Sequence, residues 1–333
     1  MNILVVRLSS LGDVILTTPV FENLKSACPL CRTSVLVKRA FAPVFNGNPF
    51  VDDVLVFEDR GLFGWAREIR RRRFDVFLDL HDTIRSRLWG WFSGAGKILR
   101  YDKRVRERRR LVRSKVLSPR LAGRVVDRYL ETLSVLGVPA TTRRPRLYLD
   151  GGTLNPALAL KIGEGPFLGV VPGAAHATKR WPPERFAEAA DAILSGVCGG
   201  GKALILGSAG DRAAAQAVSK RLKSPFVDLT GETNLEDLFR LLARCRLVLT
   251  NDSGAMHVAE ALDVPTVAVF GPTVEAFGFF PIGPKAAVVQ DEGLACRPCH
   301  LHGSEVCPLG HFRCMNDISV GRVVDAAREV CKI

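Results

Sequence analysis

Several groups of polar side chains stand where an apolar run gives way to a helical pattern, and residues 249–273 are the clearest case. Asp252, Ser253 and Gly254 follow one apolar run, and His257 lies one turn into the Ala-rich pattern after them. Backbone N–H groups at the start of a helix lack partners within the helix and can bind an anion. The junction therefore predicts an anion or sugar site, with helix capping by Asn251 or Asp252 as a compatible alternative.

A second group lies in the loop after the first apolar run, where residues 7–13 are RLSSLGD. Gly12 permits close approach of the backbone, and Asp13 opens a helical pattern that continues over residues 14–24. A carboxylate at the amino end of a helix is stabilised as an anion and can accept a proton from a bound hydroxyl. A plain helix cap explains Asp13 equally well from its position alone, and Arg7 is open to both interpretations in the same way.

A third group occupies the loop over residues 171–182, which contains Thr178, Lys179 and Arg180 among small residues. Backbone N–H groups and two cations suit a diphosphate, whereas an ordinary surface loop is the alternative. The loop has neither the Walker A pattern nor the G-x-G-x-x-G fingerprint, which disfavours ATP hydrolysis and NAD chemistry.

A fourth group is a set of cysteines near the carboxyl terminus. Four cysteines allow a tetrahedral structural zinc site, but only the first two have the close C-x-x-C spacing. Reduced structural cysteines are therefore an equal alternative, and no catalytic metal is expected. The four are Cys296, Cys299, Cys307 and Cys314.

These groups must be positioned by alternating strands and helices. Continuous Val/Ile/Leu runs indicate strands that are buried on both faces of parallel sheets, and amphipathic stretches between them repeat this βαβ order twice. The strands are predicted at residues 2–7, 33–37, 51–57, 75–80, 167–171, 202–206, 226–229, 247–250 and 264–270. Helices are predicted at residues 183–195, 213–223 and 235–243 and from Ser319 onward.

Two doubly wound domains are therefore expected, with a turn-rich linker over residues 141–165. The predicted division is residues 1–150, residues 151–318 and a carboxyl-terminal helix over 319–333 that could pack back toward the first domain. Open α/β sheets bind ligands at the carboxyl ends of their strands, so a cleft between the two domains would hold the site.

The charge of the chain is concentrated in its first half. Its 333 residues carry a formal net charge of +13, yet residues 1–150 contain 29 Lys/Arg and only 15 Asp/Glu. Ten basic residues fall within residues 97–115. Such a density predicts an anionic partner, although a solvated face is the alternative. No known nucleic-acid-binding motif, membrane span or signal peptide is recognised, so a cytoplasmic location without nucleic acid is expected.

Taken in order, six motifs resemble the ADP-heptose:lipopolysaccharide heptosyltransferases of glycosyltransferase family 9. The resemblance implies a GT-B architecture, in which two Rossmann-like doubly wound domains face each other across a cleft. The first domain would bind the acceptor and the second the ADP-sugar. The motifs are RLSSLGDVILTTP, DLHDTIRS, PGAAHATKRWPPERFAEAA, TNDSGAMHVAEAL, VFGPT and CRPCHLHGSEVCPLGHFRCM.

The resemblance implies inverting transfer of heptose from ADP-L-glycero-D-manno-heptose to Kdo–lipid A or heptosyl-Kdo–lipid A, with no cofactor required. Asp13 would be the general base, and Lys179 would neutralise the leaving diphosphate. Matched positions assign the donor to Thr178, Lys179, Asp252, Ser253, Gly254 and His257. Asp211, in GSAGDRAAA, is a further candidate for contact with the ribose or adenine. The anionic acceptor is assigned to Ser10, Gly12, Arg85, Arg100, Lys103 and Arg104.

The same interpretation predicts peripheral contact with the inner face of the cytoplasmic membrane, because the basic half would meet anionic lipid. One enzymatic alternative stays open: a family relative that uses another nucleotide sugar for a different surface polysaccharide. A nucleic-acid-binding role is disfavoured, because aromatic residues are not interleaved with the arginines.

Overall fold

The computed structural model describes residues 1–332, and the chain divides into two compact units. The first unit combines Met1–Arg104 with Gly123–Asp150. The second unit combines Val105–Ala122 with residues 151–332. Each unit is built around one parallel β-sheet.

The first sheet has five strands in the order β3-β2-β1-β4-β5, and the second has six in the order β11-β10-β9-β6-β7-β8. The first five strands are β1 (Asn2–Val6), β2 (Arg32–Lys38), β3 (Asp53–Phe57), β4 (Val76–Asp79) and β5 (Lys97–Arg100). The other six are β6 (Phe167–Val171), β7 (Lys202–Ile205), β8 (Phe226–Asp228), β9 (Cys245–Asn251), β10 (Thr266–Phe270) and β11 (Ala286–Gln290).

Helices connect the strands, as parallel pairing requires. In chain order they are α1 (Leu11–Ile15), α2 (Thr18–Ala27), α3 (Gly61–Arg71), α4 (Ile84–Phe92), α5 (Val105–Ser114), α6 (Val125–Glu131), α7 (Pro156–Ile162), α8 (Pro183–Gly196), α9 (Arg212–Ser219), α10 (Leu235–Ala243), α11 (Gly254–Ala261), α12 (Arg313–Asn316) and α13 (Val320–Val330). Short 3-10 helices cover Arg39–Phe45, Pro119–Leu121, Thr132–Leu136, Ala177–Lys179, Ala209–Asp211 and Glu275–Phe277.

The strand order reverses at one place in each sheet. In the first sheet the chain moves outward from β1 to β2 and β3, then returns to the other side of β1 with β4 and β5. In the second sheet it moves from β6 to β7 and β8, then returns with β9, β10 and β11. At such a switch point the loops after the two central strands diverge and leave room for a ligand. The loops of interest are those after β1 and β4 and those after β6 and β9.

Residues 105–122 differ from the expected division, because they pack with the second unit. Leu111 of α5 and Leu121 form a buried cluster with Phe277. The Arg108 guanidinium lies 5.2 Å from the Phe277 ring centroid, and Lys115 Nζ donates to the Pro298 carbonyl at 2.6 Å. Part of the basic segment therefore belongs to the second unit, although it lies within residues 1–150.

The carboxyl-terminal helix has its apolar side on the second unit. Helix α13 packs on the sheet of its own unit, against α8, β10 and β11. Its buried residues Val323 and Ala327 share a core cluster with Ile193 and Trp181. This apolar stripe is therefore buried within the second unit.

No helix within residues 1–332 combines the length and apolar character that a bilayer crossing requires.

Replacing Leu111 by Ala tests the assignment of residues 105–122. Leu111 is buried, so we expect a loss of about 2–5 kcal/mol in local stability. Hydrogen exchange should accelerate in peptides around residues 274–279 and stay unchanged in peptides from β1. The matched control is Val116→Ala, since Val116 is exposed and its truncation should leave exchange unaltered. Faster exchange in β1 with unchanged exchange at 274–279 would contradict the assignment.

Candidate active site

In the first unit, an ion pair holds Asp13. Sequence spacing alone could not show whether Asp13 caps its helix or acts as a charged group. Asp13 lies in the first turn of α1, and its Oδ1 is 2.6 Å from Arg7 Nη2. Its Oδ2 accepts hydrogen bonds from the hydroxyl of Ser10 at 2.8 Å and from the Ser10 backbone N–H at 3.3 Å. Arg7 is itself fixed, because its Nη1 donates to the Leu80 carbonyl after β4 at 2.6 Å. The helix-capping role and the charged pair therefore occur together.

The surroundings of Asp13 decide its protonation state. Burial alone raises the pKa of the Asp13 carboxyl, but the charge of Arg7 and the hydrogen bonds from Ser10 outweigh it, so this pKa lies below its ordinary value. Tyr129 is completely buried, and the guanidinium of Arg7 lies 5.8 Å from its ring centroid. Burial raises the pKa of Tyr129 well above its ordinary value, so the phenol stays neutral. Asp13 is consequently an ionised carboxylate at neutral pH.

The loop after β4 adds an imidazole near this pair. Asp79 ends β4 and accepts from the backbone N–H groups of His81 and Asp82 and from the hydroxyl of Ser86, at 3.0, 2.8 and 2.9 Å. These bonds fix the loop to the start of α4. Burial, followed by the positive charge of Arg7, lowers the pKa of His81 to about 4. The buried His81 Nδ1 has no hydrogen-bond partner among residues 1–332, so a neutral imidazole with an unused nitrogen faces this region.

Two of the four cations assigned to the acceptor lie around Asp82. The Asp82 carbonyl accepts from Lys103 Nζ at 2.8 Å, and its carboxylate is 3.9 Å from Arg100 Nε. Burial and the charge of Arg7 lower the pKa of Lys103. Arg85 is exposed, and its guanidinium lies 5.7 Å from the centroid of the Phe57 ring. Arg104 forms an ion pair with Glu131 at 2.5 Å.

The remaining acceptor candidates lie in the Asp13 loop itself. Ser10 precedes α1 and contacts Asp13 directly, and Gly12 lies within the helix, where its carbonyl accepts from the Leu16 N–H at 2.9 Å.

In the second unit, two motifs separated by more than seventy residues meet across the switch point. Lys179 ends the 3-10 helix after β6, and its Nζ is 2.7 Å from Asp252 Oδ2 in the loop after β9. Thr273, in the loop after β10, donates its hydroxyl to the same Asp252 oxygen at 2.7 Å. Both charged side chains are largely buried, with 14% and 9% of their surface exposed. Three adjacent strand ends therefore converge on one carboxylate.

Thr178 has a different environment from Lys179. It is buried, and its hydroxyl donates to the Ser304 carbonyl and accepts from the Ser304 N–H, both at 2.8 Å. Its own N–H also donates to the Ser304 carbonyl, at 3.0 Å. The hydroxyl is thus committed to Ser304, and Thr178 fixes the loop that carries Lys179.

Helix α11 opens beside Asp252 with the residues that the sequence singled out. Ser253 is its N-cap and Gly254 its first residue, so the unpaired N–H groups of the first turn lie here. The Ser253 hydroxyl is 3.1 Å from that of Thr250. His257 is buried, and its Nδ1 lies 3.8 Å from Glu260 Oε2 within the same helix. His257 is therefore part of the packed helix face as well as a donor candidate.

Asp211 follows β7 and caps the short helix that it ends. Its carboxylate accepts from the Ser208 N–H at 2.9 Å and from the Ser208 hydroxyl at 2.7 Å. A Cβ at Gly173 would lie 2.3 Å from the Asp211 carboxyl, so only glycine fits there. Asp211 thus lies against the loop after β6, which also carries Lys179.

Asn251 joins two of the loops. Its side chain donates to the Pro172 carbonyl at 2.8 Å and accepts from the Trp181 N–H at 3.1 Å. The ends of β6 and β9 are therefore tied by one buried amide.

The four carboxyl-terminal cysteines do not support the zinc alternative. No group of three or more His, Cys, Asp or Glu side chains in the described part of the chain is arranged to hold a metal ion. None of the four is in a disulfide. Burial raises the pKa of Cys314 to about 11, whereas at Cys307 hydrogen bonds from backbone N–H groups outweigh burial and lower the thiol pKa.

Some residues of the site were not assigned a role from the sequence. His81 and Thr273 lie within quoted motifs, but their proximity to Asp13 and Asp252 depends on strand order. Tyr129 lies in a helix more than a hundred residues from Asp13, and no local pattern marks it. Thr273 and Tyr129 are buried polar residues, and their burial depends on tertiary packing that no local pattern shows.

Comparisons with known proteins agree with this geometry. Residues 63–308 match the sequence model of glycosyltransferase family 9 (heptosyltransferase). Lipopolysaccharide heptosyltransferase 2 of Salmonella typhimurium is 29% identical over 315 residues, which cover 87% of this chain and 88% of that protein. Lipooligosaccharide heptosyltransferase 2 of Haemophilus influenzae is 28% identical over 321 residues, with the same two coverages of 87% and 88%.

Solved structures agree in fold. A family 9 glycosyl transferase from Veillonella parvula has a TM-score of 0.80 at 26% identity, covering 99% of this chain and 97% of that one. The ADP-heptose lps heptosyltransferase II of E. coli has a TM-score of 0.76 at 24% identity, covering 100% and 99%.

The family match contains the loops that carry His81, Lys179 and Asp252, and the two parallel sheets agree with the GT-B structures of that family. The chain therefore belongs to glycosyltransferase family 9 and is an enzyme with the GT-B architecture.

Proposed function

We propose that the protein transfers heptose from ADP-L-glycero-D-manno-heptose to the lipopolysaccharide inner core, with inversion at the anomeric carbon. The observation that carries this proposal is the pairing of Lys179 with Asp252 across the switch point of the second sheet. The names of the relatives, which are lipopolysaccharide and lipooligosaccharide heptosyltransferases, supply the sugar and the acceptor class.

The donor is proposed to bind at the start of α11. Its diphosphate accepts from the first-turn N–H groups at Gly254 and beyond, and it replaces Asp252 as the partner of Lys179. Asp252, released from the lysine, then accepts from heptose hydroxyls, and Asp211 contacts the nucleoside. Thr178 acts indirectly, because its hydroxyl is bound to Ser304 and holds the lysine loop.

Asp13 is proposed as the general base. As the acceptor oxygen bonds to the anomeric carbon, its proton becomes acidic and passes to the Asp13 carboxylate, while the bond to the ADP phosphate oxygen breaks. A carboxylate of lowered pKa is ionised in nearly every molecule, which suits a transfer that completes late in the reaction. Lys179 stabilises the negative charge that develops on the leaving ADP.

The acceptor is proposed to lie on the basic groups of the first unit. Arg85 and Arg100 are exposed, and Lys103 lies near the Arg7–Asp13 pair, so Kdo carboxylates or lipid A phosphates would meet cations beside the base. Arg104 contributes less in this account, because Glu131 already neutralises it. Peripheral contact with an anionic membrane stays a prediction.

The direct test is ADP release by purified protein with ADP-heptose and either Kdo–lipid A or its heptosylated form. We expect release with at least one acceptor, and binding of ADP-sugars in preference to UDP- and GDP-sugars. Failure with both acceptors, together with preference for UDP or GDP, would favour a relative with another nucleotide sugar.

Replacing Asp13 by Asn should lower turnover by about 10²–10⁴-fold, because the proton acceptor is removed. The affinity for ADP-heptose should stay within a few-fold of wild type, measured by calorimetry. Asp127→Asn is a matched control, since Asp127 caps α6 through the Arg124 N–H in the same way but lies outside the loop. Equal turnover of Asp13→Asn and Asp127→Asn would remove Asp13 from the mechanism.

Replacing Lys179 by Ala should weaken ADP-heptose binding by about 10–100-fold, the usual cost of one lost charge-assisted hydrogen bond. Lys161→Ala serves as control, because Lys161 pairs with Glu232 on the surface of the same unit. Titration calorimetry with ADP-heptose measures both variants. Wild-type affinity in Lys179→Ala would contradict its role at the diphosphate.

Replacing Arg7 by Met should move the acid limb of the kcat/KM profile to higher pH. Arg7 opposes the effect of burial and lowers the pKa of Asp13, so its removal lets that pKa rise. The base is then protonated, and activity is lost, at a higher pH than in the wild type. Arg7→Lys keeps the charge and should shift the limb less. A Met variant that folds normally and keeps the wild-type limb would contradict this coupling.

A further inference from the structure

Large apolar side chains are exposed on one face of the first unit, along α4 and the edge strand β5. Trp91 is 75% exposed and Phe92 is 40% exposed. Their rings stack with the centroids 5.8 Å apart. Ile98 in β5 is 43% exposed, and Ile84 at the start of α4 is 79% exposed. Four such residues on one face form a patch of the kind that soluble surfaces rarely present without a partner. We call it the α4/β5 face.

The face has the shape of a shallow groove. A cavity of about 380 Å³ lies between α4 and β5 and is lined by Arg87, Leu88, Trp91, Ile98 and Arg100. Gly90 lets the helix approach the strand, since a Cβ there would lie 3.3 Å from Ile98 Cγ2. The groove therefore has apolar walls and a guanidinium contributed from each side.

The groove carries charge of one sign. Arg87 and Arg100 line it, and no carboxylate is among its lining residues. Asp82, just before α4, offsets part of this charge, since it lies 2.8 Å from Arg87 and 3.9 Å from Arg100.

A second groove, of about 630 Å³, lies beyond the carboxyl end of α4, where Ser93 and Gly94 line it. Its lining also includes Arg70, Arg73 and Lys97, with Asp75 as the one acid among the residues that line it. Further cations therefore lie beside the carboxyl end of α4.

Exposed aromatic rings beside arginines suit an interface between water and lipid. Tryptophan is enriched at the headgroup level of bilayers, where its ring is buried and its N–H stays hydrated. Lys and Arg near an anionic surface each add about 1 kcal/mol of attraction. In β5, Ile98 and Arg100 lie on the same face of the strand and both are exposed, so this face presents an isoleucine and a cation together. A nucleic acid would use the cations but leave Ile84 and Ile98 without a contact.

We propose that the α4/β5 face binds the surface of an anionic bilayer. The proposal deepens the proposed function, on which it rests for the expectation that the acceptor is a lipid. It assigns the contact to α4 and β5, whereas net charge alone pointed to the basic first half as a whole. Trp91, Phe92 and Ile98 insert at headgroup depth, and the cations of the face pair with lipid phosphates.

Trp91 makes the proposal directly measurable. Of the four tryptophans, Trp65, Trp89 and Trp181 are buried, at 3%, 0% and 1% exposure, and only Trp91 reports on the surface. With no sugar substrate present, the full chain is mixed with vesicles of phosphatidylglycerol and phosphatidylcholine or of phosphatidylcholine alone. We expect co-sedimentation and a blue shift of tryptophan emission with the anionic vesicles, weaker with neutral vesicles and at high salt.

The variants Trp91→Ser and Ile98→Ser should each lower partitioning onto anionic vesicles by about tenfold, since each loses apolar contact with the lipid. Leu160→Ser is the matched control, because Leu160 is 87% exposed on the second unit and should leave partitioning unchanged. Transfer to a water-soluble acceptor fragment, assayed without vesicles, separates this proposal from the proposed reaction.

Two results would overturn the proposal. One is partitioning of Trp91→Ser and Ile98→Ser equal to that of wild type. The other is the absence of vesicle binding together with self-association, measured by sedimentation velocity, that Ile98→Ser abolishes. That result would make the open edge of β5 a contact between two copies of the chain.

Discussion

A charge that is buried at the carboxyl end of a parallel strand needs a partner of opposite sign, and this constraint organises both units. In the second unit, Lys179 and Asp252 join the loops after β6 and β9 at 2.7 Å. In the first unit, Arg7 holds Asp13 at 2.6 Å and reaches the carbonyl that follows β4. Each pair lies where the strand order of its sheet reverses, so each sheet gathers its polar groups at the position that doubly wound sheets use for ligands.

The two ion pairs differ in whether a substrate can replace one of the partners. Arg7 is anchored by a backbone carbonyl and by the Tyr129 ring, so it keeps Asp13 ionised and fixed in direction. Lys179 has Asp252 as its acidic partner, and helix-end N–H groups lie beside that carboxylate, so an incoming diphosphate can take the lysine while Asp252 turns to sugar hydroxyls. A fixed pair suits a base, and an exchangeable pair suits a substrate that must arrive and leave.

Much of this fold follows from local sequence, whereas the pairings do not. Strand β6 and helix α10 have the predicted bounds. The apolar run of the strand and the amphipathic pattern of the helix each lie within a single stretch of sequence. Strand β5 was not predicted, because half of its sequence KILR is basic and only an edge strand tolerates that composition. Residues 14–24 were predicted as one helix but form parts of two, because the helix is interrupted at Thr17. Residues 105–122 pack with the second unit through Phe277, and the Lys179–Asp252 contact depends on strand order. No spacing within one motif encodes such long-range partners.

The exchange of partners at Lys179 is the central claim, and a crystal structure of the protein with ADP or a non-transferable ADP-heptose analogue tests it most directly. The account predicts the diphosphate within hydrogen-bonding distance of Lys179 Nζ and of the first-turn N–H groups of α11, with the lysine drawn away from Asp252. A nucleotide bound elsewhere, with the 2.7 Å Lys179–Asp252 contact intact, would contradict it.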